Sequence, residues 1–154
     1  MSIEAIPMLR KRRYLLAMSA VALLTLPGCV SQQSASLTPG FNPSNVRRVH
    51  VVRLPADGRG IERLIADEFR RLGRVATIGS ETDVPPDADA VVTYADRWMW
   101  DITMYMISLD VTLRTPGTLF PLASGRSVRS SLVRQSPEAM VREVVGRLLN
   151  QPES

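Results

Sequence analysis

The chain has 154 residues, of which 45% are apolar and 22% charged, so it is long enough for one domain with a real core. Its formal charge of +4 would by itself favour a nucleic-acid partner, but four of the basic residues are consecutive, at positions 10–13. Residues 1–28 hold these four and a single acidic residue, so the rest of the chain is close to neutral. Net charge therefore excludes a nucleic-acid partner for that remainder.

The N-terminal segment has the order of features found in secreted precursors. The basic cluster precedes an uncharged run at residues 14–26, too short for a membrane-spanning helix of about 20 residues but long enough for a signal peptide. Leu26, Pro27, Gly28 and Cys29 come next, and Cys29 is the only cysteine. These four residues resemble the lipobox of bacterial lipoproteins. An N-terminal core helix that ends in a buried cysteine is the alternative.

The resemblance implies that residues 1–28 are a lipoprotein signal peptide and that Cys29 is lipidated. Several acyl chains together hold a protein firmly, whereas one chain binds only marginally. A lipid-anchored protein of the cell envelope is implied, with the membrane and an envelope protein as partners. Val30 stands where an aspartate favours inner-membrane retention in enterobacterial lipoproteins, which implies the outer membrane, facing the periplasm.

Residues 29–45 are predicted to be the lipidated cysteine and a flexible tether. Their composition, rich in Ser, Gln, Asn, Pro and Gly with few large apolar groups, is typical of a solvated linker. The folded periplasmic domain is then predicted to span residues 46–150.

The first half of this domain reads as strand, helix, strand. Residues 46–54 are rich in valine and end before Pro55, which predicts a strand. Apolar residues recur at helical spacing over 61–72, and Gly73 stands where a left-handed C-cap is expected. Residues 75–78 predict a second strand, parallel to the first because a helix connects them.

The second half reads as a long hairpin, one more strand and a final helix. Residues 90–100 and 102–114 predict the hairpin, and residues 119–127 a further strand. Ser136 and Pro137 are typical of a helix start. Gly146 is predicted to let this helix approach the sheet closely. The expected core face carries these residues: Val92, Tyr94, Trp98, Trp100, Tyr105, Ile107, Leu109, Val111 and Leu113.

The element order β-α-β-β-β-β-α predicts an α+β fold. We expect a two-layer sandwich with a mixed sheet of about five strands and two helices on one face. The layout is similar to that of small outer-membrane lipoproteins that assemble or transport lipopolysaccharide, and to auxiliary lipoproteins of lipid-transporting ABC systems. Layout alone does not assign a function.

Few residues suggest catalysis. His50 is the only histidine, so a histidine cluster for metal is excluded, and its place in a valine-rich strand favours a structural role. Gly58 and Gly60 favour a turn and a helix start over a phosphate-binding loop. Asp96 falls on an apolar face, where a raised pKa would suit a general acid, but no second carboxylate is placed with it. We therefore predict no catalytic, cofactor or metal site.

The hairpin tip is the strongest functional candidate, because it is apolar on both sides. The predicted contact surface consists of Trp98, Met99, Trp100, Met104 and Met106. Burial of the tip by the protein's own segments is the alternative. We expect a non-catalytic binding or assembly component of the envelope. A lipid or small-ligand carrier with a pocket near Trp98 and Trp100 is a second possibility, and a hydrolase using Asp96 or Ser136 a third.

Overall fold

The computed structural model describes residues 32–55 and 58–150. Its strands and helices in chain order are β1 (Gln32–Leu37), β2 (Arg48–Val52), α1 (Ile61–Arg71), β3 (Val75–Gly79), β4 (Ala90–Asp101), β5 (Thr103–Arg114), β6 (Pro121–Val128) and α2 (Pro137–Leu149). Within these ranges no helix has both the length and the apolar character needed to cross a membrane.

The strands form one mixed sheet in the order β1-β6-β5-β4-β2-β3. Strand β2 runs parallel to β3, as the β2-α1-β3 crossover predicts, and it is also parallel to β4. All other pairs are antiparallel. Both helices pack on one face and on each other. The predicted α+β sandwich is confirmed, with six strands in place of about five.

The start of α2 and the end of α1 carry the expected signals. Ser136 accepts a hydrogen bond from the Ala139 backbone N–H at 3.2 Å and caps α2, and the N–H groups at this end lower the pKa of Glu138. Helix α1 ends before Gly73, whose φ of 79° is the left-handed conformation expected at that position.

The core lies between the helices and the sheet. Phe69, Ile65 and Val144 from the helices are essentially fully buried, as are Leu109 and Val111 from β5. The opposite face of β4, β5 and β6 is mostly polar, with Thr93, Thr112 and Ser124 in one row across the three strands.

The tether prediction was wrong for residues 32–37, which form the edge strand β1. This segment is too polar to suggest a strand, but every residue from Gln32 to Leu37 is paired with β6. Backbone pairing does not require apolar side chains, and at an edge only one side of the strand needs a partner. The folded unit therefore includes β1, which the predicted boundary at residue 46 left out.

The hairpin register differs from the prediction near its tip, because β5 has a bulge. Asp96 pairs with Leu109 and Arg97 with Ser108, but Trp98 pairs with Met106, so Ile107 is an extra residue. Leu113, Val111 and Leu109 face the core as predicted. Beyond the bulge the faces exchange, and the assignment of Tyr105 and Ile107 to the core face was wrong.

The close approach of helix and sheet occurs at Gly125, not at Gly146. A Cβ on Gly125 would lie 3.0 Å from both Leu148 Cγ and Val144 Cγ1, whereas a Cβ on Gly146 would meet nothing within 4 Å. The prediction for Gly146 was therefore wrong, since the small residue that the contact needs is on β6.

Candidate contact surface at the hairpin tip

The end of the β4–β5 hairpin exposes four large apolar side chains. Ile102 in the turn is 87% exposed, Trp100 is 69% exposed, and Met99 and Met104 are each about half exposed. Trp100 pairs with Met104 on the helix side, and Met99 lies on the polar side. The tip thus presents apolar groups on both faces, and the helices cover neither.

Ile102 occupies this exposed turn at a conformational cost. Its φ of 60° is left-handed, a region that a β-branched residue adopts only under strain of about 1–2 kcal/mol. Glycine or asparagine would fit the turn better. At 87% exposure the Ile102 side chain buries little apolar surface, and backbone strain of this kind is typical of functional positions.

The connection from β6 to α2 extends the apolar surface. Arg134 Nη2 donates to Asp101 Oδ2 at 2.8 Å, and its guanidinium lies 4.1 Å from the centre of the Tyr105 ring. This contact places Leu132 and Val133, 81% and 43% exposed, beside the hairpin. We call the six exposed residues the apolar tip: Met99, Trp100, Ile102, Met104, Leu132 and Val133.

Two residues of the predicted contact surface lie elsewhere. Met106 is buried in the core because the bulge turns it toward the helices, so its assignment to the surface was wrong. Trp98 is half-buried; its indole N–H donates to Asp96, and the Arg59 guanidinium lies 4.4 Å from its ring centre. Trp98 therefore borders the apolar tip.

The first described residue lies at the same end of the sheet as the apolar tip. Gln32, Val128, Ser108 and Arg97 are register partners in one row across four strands. Strand β1 runs in the same direction as β5, which starts at the tip, so the chain enters the sheet from that end. Cys29 lies outside the described residues, three positions before Gln32.

The candidate chemical groups have structural partners. His50 is buried, with its ring nitrogens 2.9 Å from Thr77 Oγ1 and 3.0 Å from the Ser80 carbonyl oxygen. Asp96 accepts from Trp98, and Ser136 caps α2. Gly60 adopts φ 72° at the start of α1, a turn conformation. The described residues contain no cluster of three potential metal ligands.

The clefts of the described domain can be compared with the carrier pocket expected near Trp98 and Trp100. Clefts of about 200–360 Å³ lie open on the surface of the described domain, and neither Trp98 nor Trp100 lines any of these five. Trp100 instead projects into solvent.

Comparisons with known proteins give a fold likeness. No family model and no curated protein matches the chain. The solved structures of PelC from Paraburkholderia phytofirmans and of a single-substitution variant, both described as dodecamers, are similar with TM-scores of 0.57 and 0.58. They share 13% and 14% identity and cover 79% of this chain and 100% of their own. A minor lipoprotein from Acinetobacter baumannii, at 14% identity, covers 69% of this chain and 90% of its own, but its TM-score of 0.37 is too low to bear on the fold or the function.

Sequence reasoning missed three residues of the apolar tip. Ile102 had been counted as part of a strand, and its exposure follows from the sharp turn that begins there. Leu132 and Val133 are isolated among polar residues in a connection, and that isolation is the one available signal. Apolar residues in a polar connection either reach the core or form part of a contact.

Proposed function

We propose that this protein is a lipid-anchored, non-catalytic component of the bacterial envelope whose apolar tip inserts into the membrane that holds its anchor. One observation carries the proposal: the chain enters the sheet at the end where the apolar tip is exposed. Cys29, the residue proposed to carry the lipid, precedes Gln32 by three positions in the sequence.

The composition of the tip supports a lipid surface over a protein partner. Tryptophan, methionine and isoleucine stand at the end. Arg134, which is paired with Asp101, and Arg59, which lies over Trp98, are the basic residues beside them. Apolar side chains bordered by basic ones are typical of proteins that lie in the membrane interface. A tip of this kind adds to the anchor and fixes the orientation of the domain.

The anchor itself is tested by labelling. Cells that express the full chain and are fed radioactive palmitate should incorporate label into the wild type and not into Cys29→Ala. Label that persists in Cys29→Ala would overturn the lipid anchor at this position.

Insertion of the tip can be followed directly, because Trp98 and Trp100 are the only tryptophans. The lipidated full-length protein is reconstituted into vesicles whose acyl chains carry bromine near the headgroup, and fluorescence quenching is measured. Trp100 is exposed at the tip, whereas Trp98 is half-buried beneath Arg59. Trp98→Phe should therefore keep most of the quenching, and Trp100→Phe should lose most of it.

Trp98→Phe and Trp100→Phe form a matched pair of variants that differ only in which tryptophan remains. Both proteins retain the anchor and one tryptophan, so a difference between them reports the depth of the tip. Absence of quenching in Trp98→Phe, which retains the exposed Trp100, would mean that the tip faces away from the lipid, and an envelope protein would then be the favoured partner.

Self-assembly is a second candidate function, and the sheet edges favour it. Among the described strands, β1 and β3 each have one neighbour, and neither edge carries a charge or a proline to block further pairing. The PelC structures with the same fold are described as dodecamers, which supports the same behaviour here.

Mass measurement of the detergent-solubilised, lipidated protein tests this candidate. We expect an oligomer for the wild type and a shift of most material to monomer in Val75→Lys, because Val75 is 59% exposed on β3 and a lysine there opposes edge pairing. Thr118→Lys, in an exposed turn between β5 and β6, is the control and should not change the mass. A monomeric wild type would overturn the candidate.

A further inference from the structure

A second feature near the tip lies on the polar face of the sheet. An open cleft of about 200 Å³ is lined by residues of β4, β5, β6 and the connection to α2. Two arginines, Arg97 and Arg126, border it together with the hydroxyls of Ser108, Ser130 and Ser131. The Ser130 Oγ is buried and has no hydrogen-bond partner among the described residues.

The arginines of this cleft retain unused hydrogen-bonding capacity. Arg97 is exposed and makes no ion pair within the described part of the chain. Arg126 Nε lies 3.5 Å from Asp110 Oδ1, longer than a charge-assisted hydrogen bond, and the Arg126 side chain is 54% exposed. Arg129 also lines the cleft, but its guanidinium is engaged by Glu143 and Gln135. Two guanidinium groups are thus left to face one cleft.

The height of the cleft above the turn matches the headgroup layer of a bilayer. Arg97 lies four residues from Asp101, which is about 13 Å along an extended strand. Interfacial segments insert their apolar groups about 5–10 Å, and the headgroup layer adds about 5–7 Å on each side of the hydrocarbon. With the apolar tip inserted, Arg97 would stand at the level of the lipid phosphates. Arg126 is in the row of Ala95, about 7 Å further from the turn, and its long side chain would reach down to the same level.

We propose that this cleft binds the phosphate of a membrane phospholipid headgroup, with Arg97 and Arg126 as the charged donors and Ser130 as a hydroxyl donor. The proposal rests on the proposed membrane insertion and names the ligand that the inserted face takes. Guanidinium groups bind phosphate through paired, charge-assisted hydrogen bonds, which makes them suited to this role. Ser130 Oγ–H would gain the acceptor that it lacks.

The size of the cleft limits the ligand to a headgroup. Pockets that hold a whole drug-sized ligand measure roughly 300–1,000 Å³, more than this cleft offers. The acyl chains would therefore stay in the bilayer beside the apolar tip, and Met99, which also lines the cleft, would lie between the two regions.

Titration with a soluble short-chain lipid tests the site apart from membrane insertion. The lipidated full-length protein, in a detergent without phosphate, is titrated with dihexanoyl-phosphatidylglycerol and followed by ³¹P NMR and calorimetry. The double variant Arg97→Gln/Arg126→Gln should bind about tenfold more weakly or worse, since a charge-assisted hydrogen bond contributes well over a factor of ten. Arg47→Gln/Arg142→Gln removes two exposed arginines elsewhere and should bind like the wild type.

Two further titrations identify the source of the phosphate. Dihexanoylglycerol, which has the same chains and no phosphate, should not bind at the cleft, and inorganic phosphate should bind more weakly than the phospholipid. Equal binding of inorganic phosphate would overturn the headgroup assignment in favour of a soluble phosphate. Equal phospholipid binding by the two double variants would show that the cleft is not the binding site. Insertion of the tip is tested independently, by the tryptophan quenching experiment.

Discussion

Glu143→Ala is expected to lower the free energy of unfolding by about 3–5 kcal/mol, because it leaves the buried Arg129 guanidinium without its carboxylate. The Arg129 side chain is 2% exposed, and Nη2 donates to Glu143 Oε2. The remaining partner is the neutral Gln135 Oε1, 3.0 Å from Arg129 Nε. Urea denaturation of the full-length protein, followed by circular dichroism, measures the change.

An exposed ion pair provides the control for this prediction. Arg70 and Asp67 on α1 form a 2.7 Å contact with side chains 46% and 68% exposed, so Asp67→Ala should cost less than about 1 kcal/mol. The double variant Arg129→Met/Glu143→Met should recover much of the stability that Glu143→Ala loses, since an apolar pair carries no unpaired charge. Equal losses in Asp67→Ala and Glu143→Ala would contradict the burial assigned to Arg129.

This ion pair matters for the proposed contact surface because of its place in the chain. Arg129 follows β6 and begins the connection that carries Leu132, Val133 and Arg134. Its backbone N–H donates to the Ile107 carbonyl oxygen at 2.8 Å, beside the β5 bulge. The pair with Glu143 therefore ties the connection to both α2 and β5, and Arg134 then fixes its far end on the hairpin turn.

The parts of the fold that sequence predicted are those in which burial and local signals agree. Examples are the valine-rich strand β2, the amphipathic helix α1 and the start of α2 at Ser136. In each of them the local sequence pattern predicts a single type of secondary structure. Strand β1 could not be found this way, because its polar side chains carry no periodic signal and only pairing with β6 makes it a strand. Whether a polar segment becomes an edge strand depends on a partner strand that is distant in sequence.

Only part of the candidate site could be predicted from the sequence, for a similar reason. Exposed Met99, Trp100 and Met104 follow from the composition of the tip, whereas burial of Met106 depends on the single extra residue at Ile107. A one-residue bulge reverses the two faces of every position beyond it, and alternation of side chains cannot show where it occurs. The same limit explains why Tyr105 was expected in the core, when in fact Arg134 covers it on the polar face.

Gly125→Val is expected to lower the free energy of unfolding by about 1–3 kcal/mol, through overpacking where α2 rests on β6. Even a single Cβ at this position would lie 3.0 Å from Leu148 Cγ, on a helix whose buried face contributes to the core. Valine adds two further methyl groups in the same space. The contact is relieved by strained rotamers of Leu148 and Val144 or by movement of α2 away from the sheet, and such a movement would also draw Glu143 away from Arg129.

Gly146→Ala, on the same helix, should have the opposite effect. Nothing lies within 4 Å of a Cβ there, and alanine in a helix interior is more favourable than glycine by about 1 kcal/mol. The two variants together separate helix propensity from helix–sheet contact, since each adds apolar atoms to α2 or to the strand beneath it. Destabilisation by Gly146→Ala, or no effect of Gly125→Val in the same urea denaturation, would contradict the packing that holds α2, and with it Arg129, against the base of the hairpin.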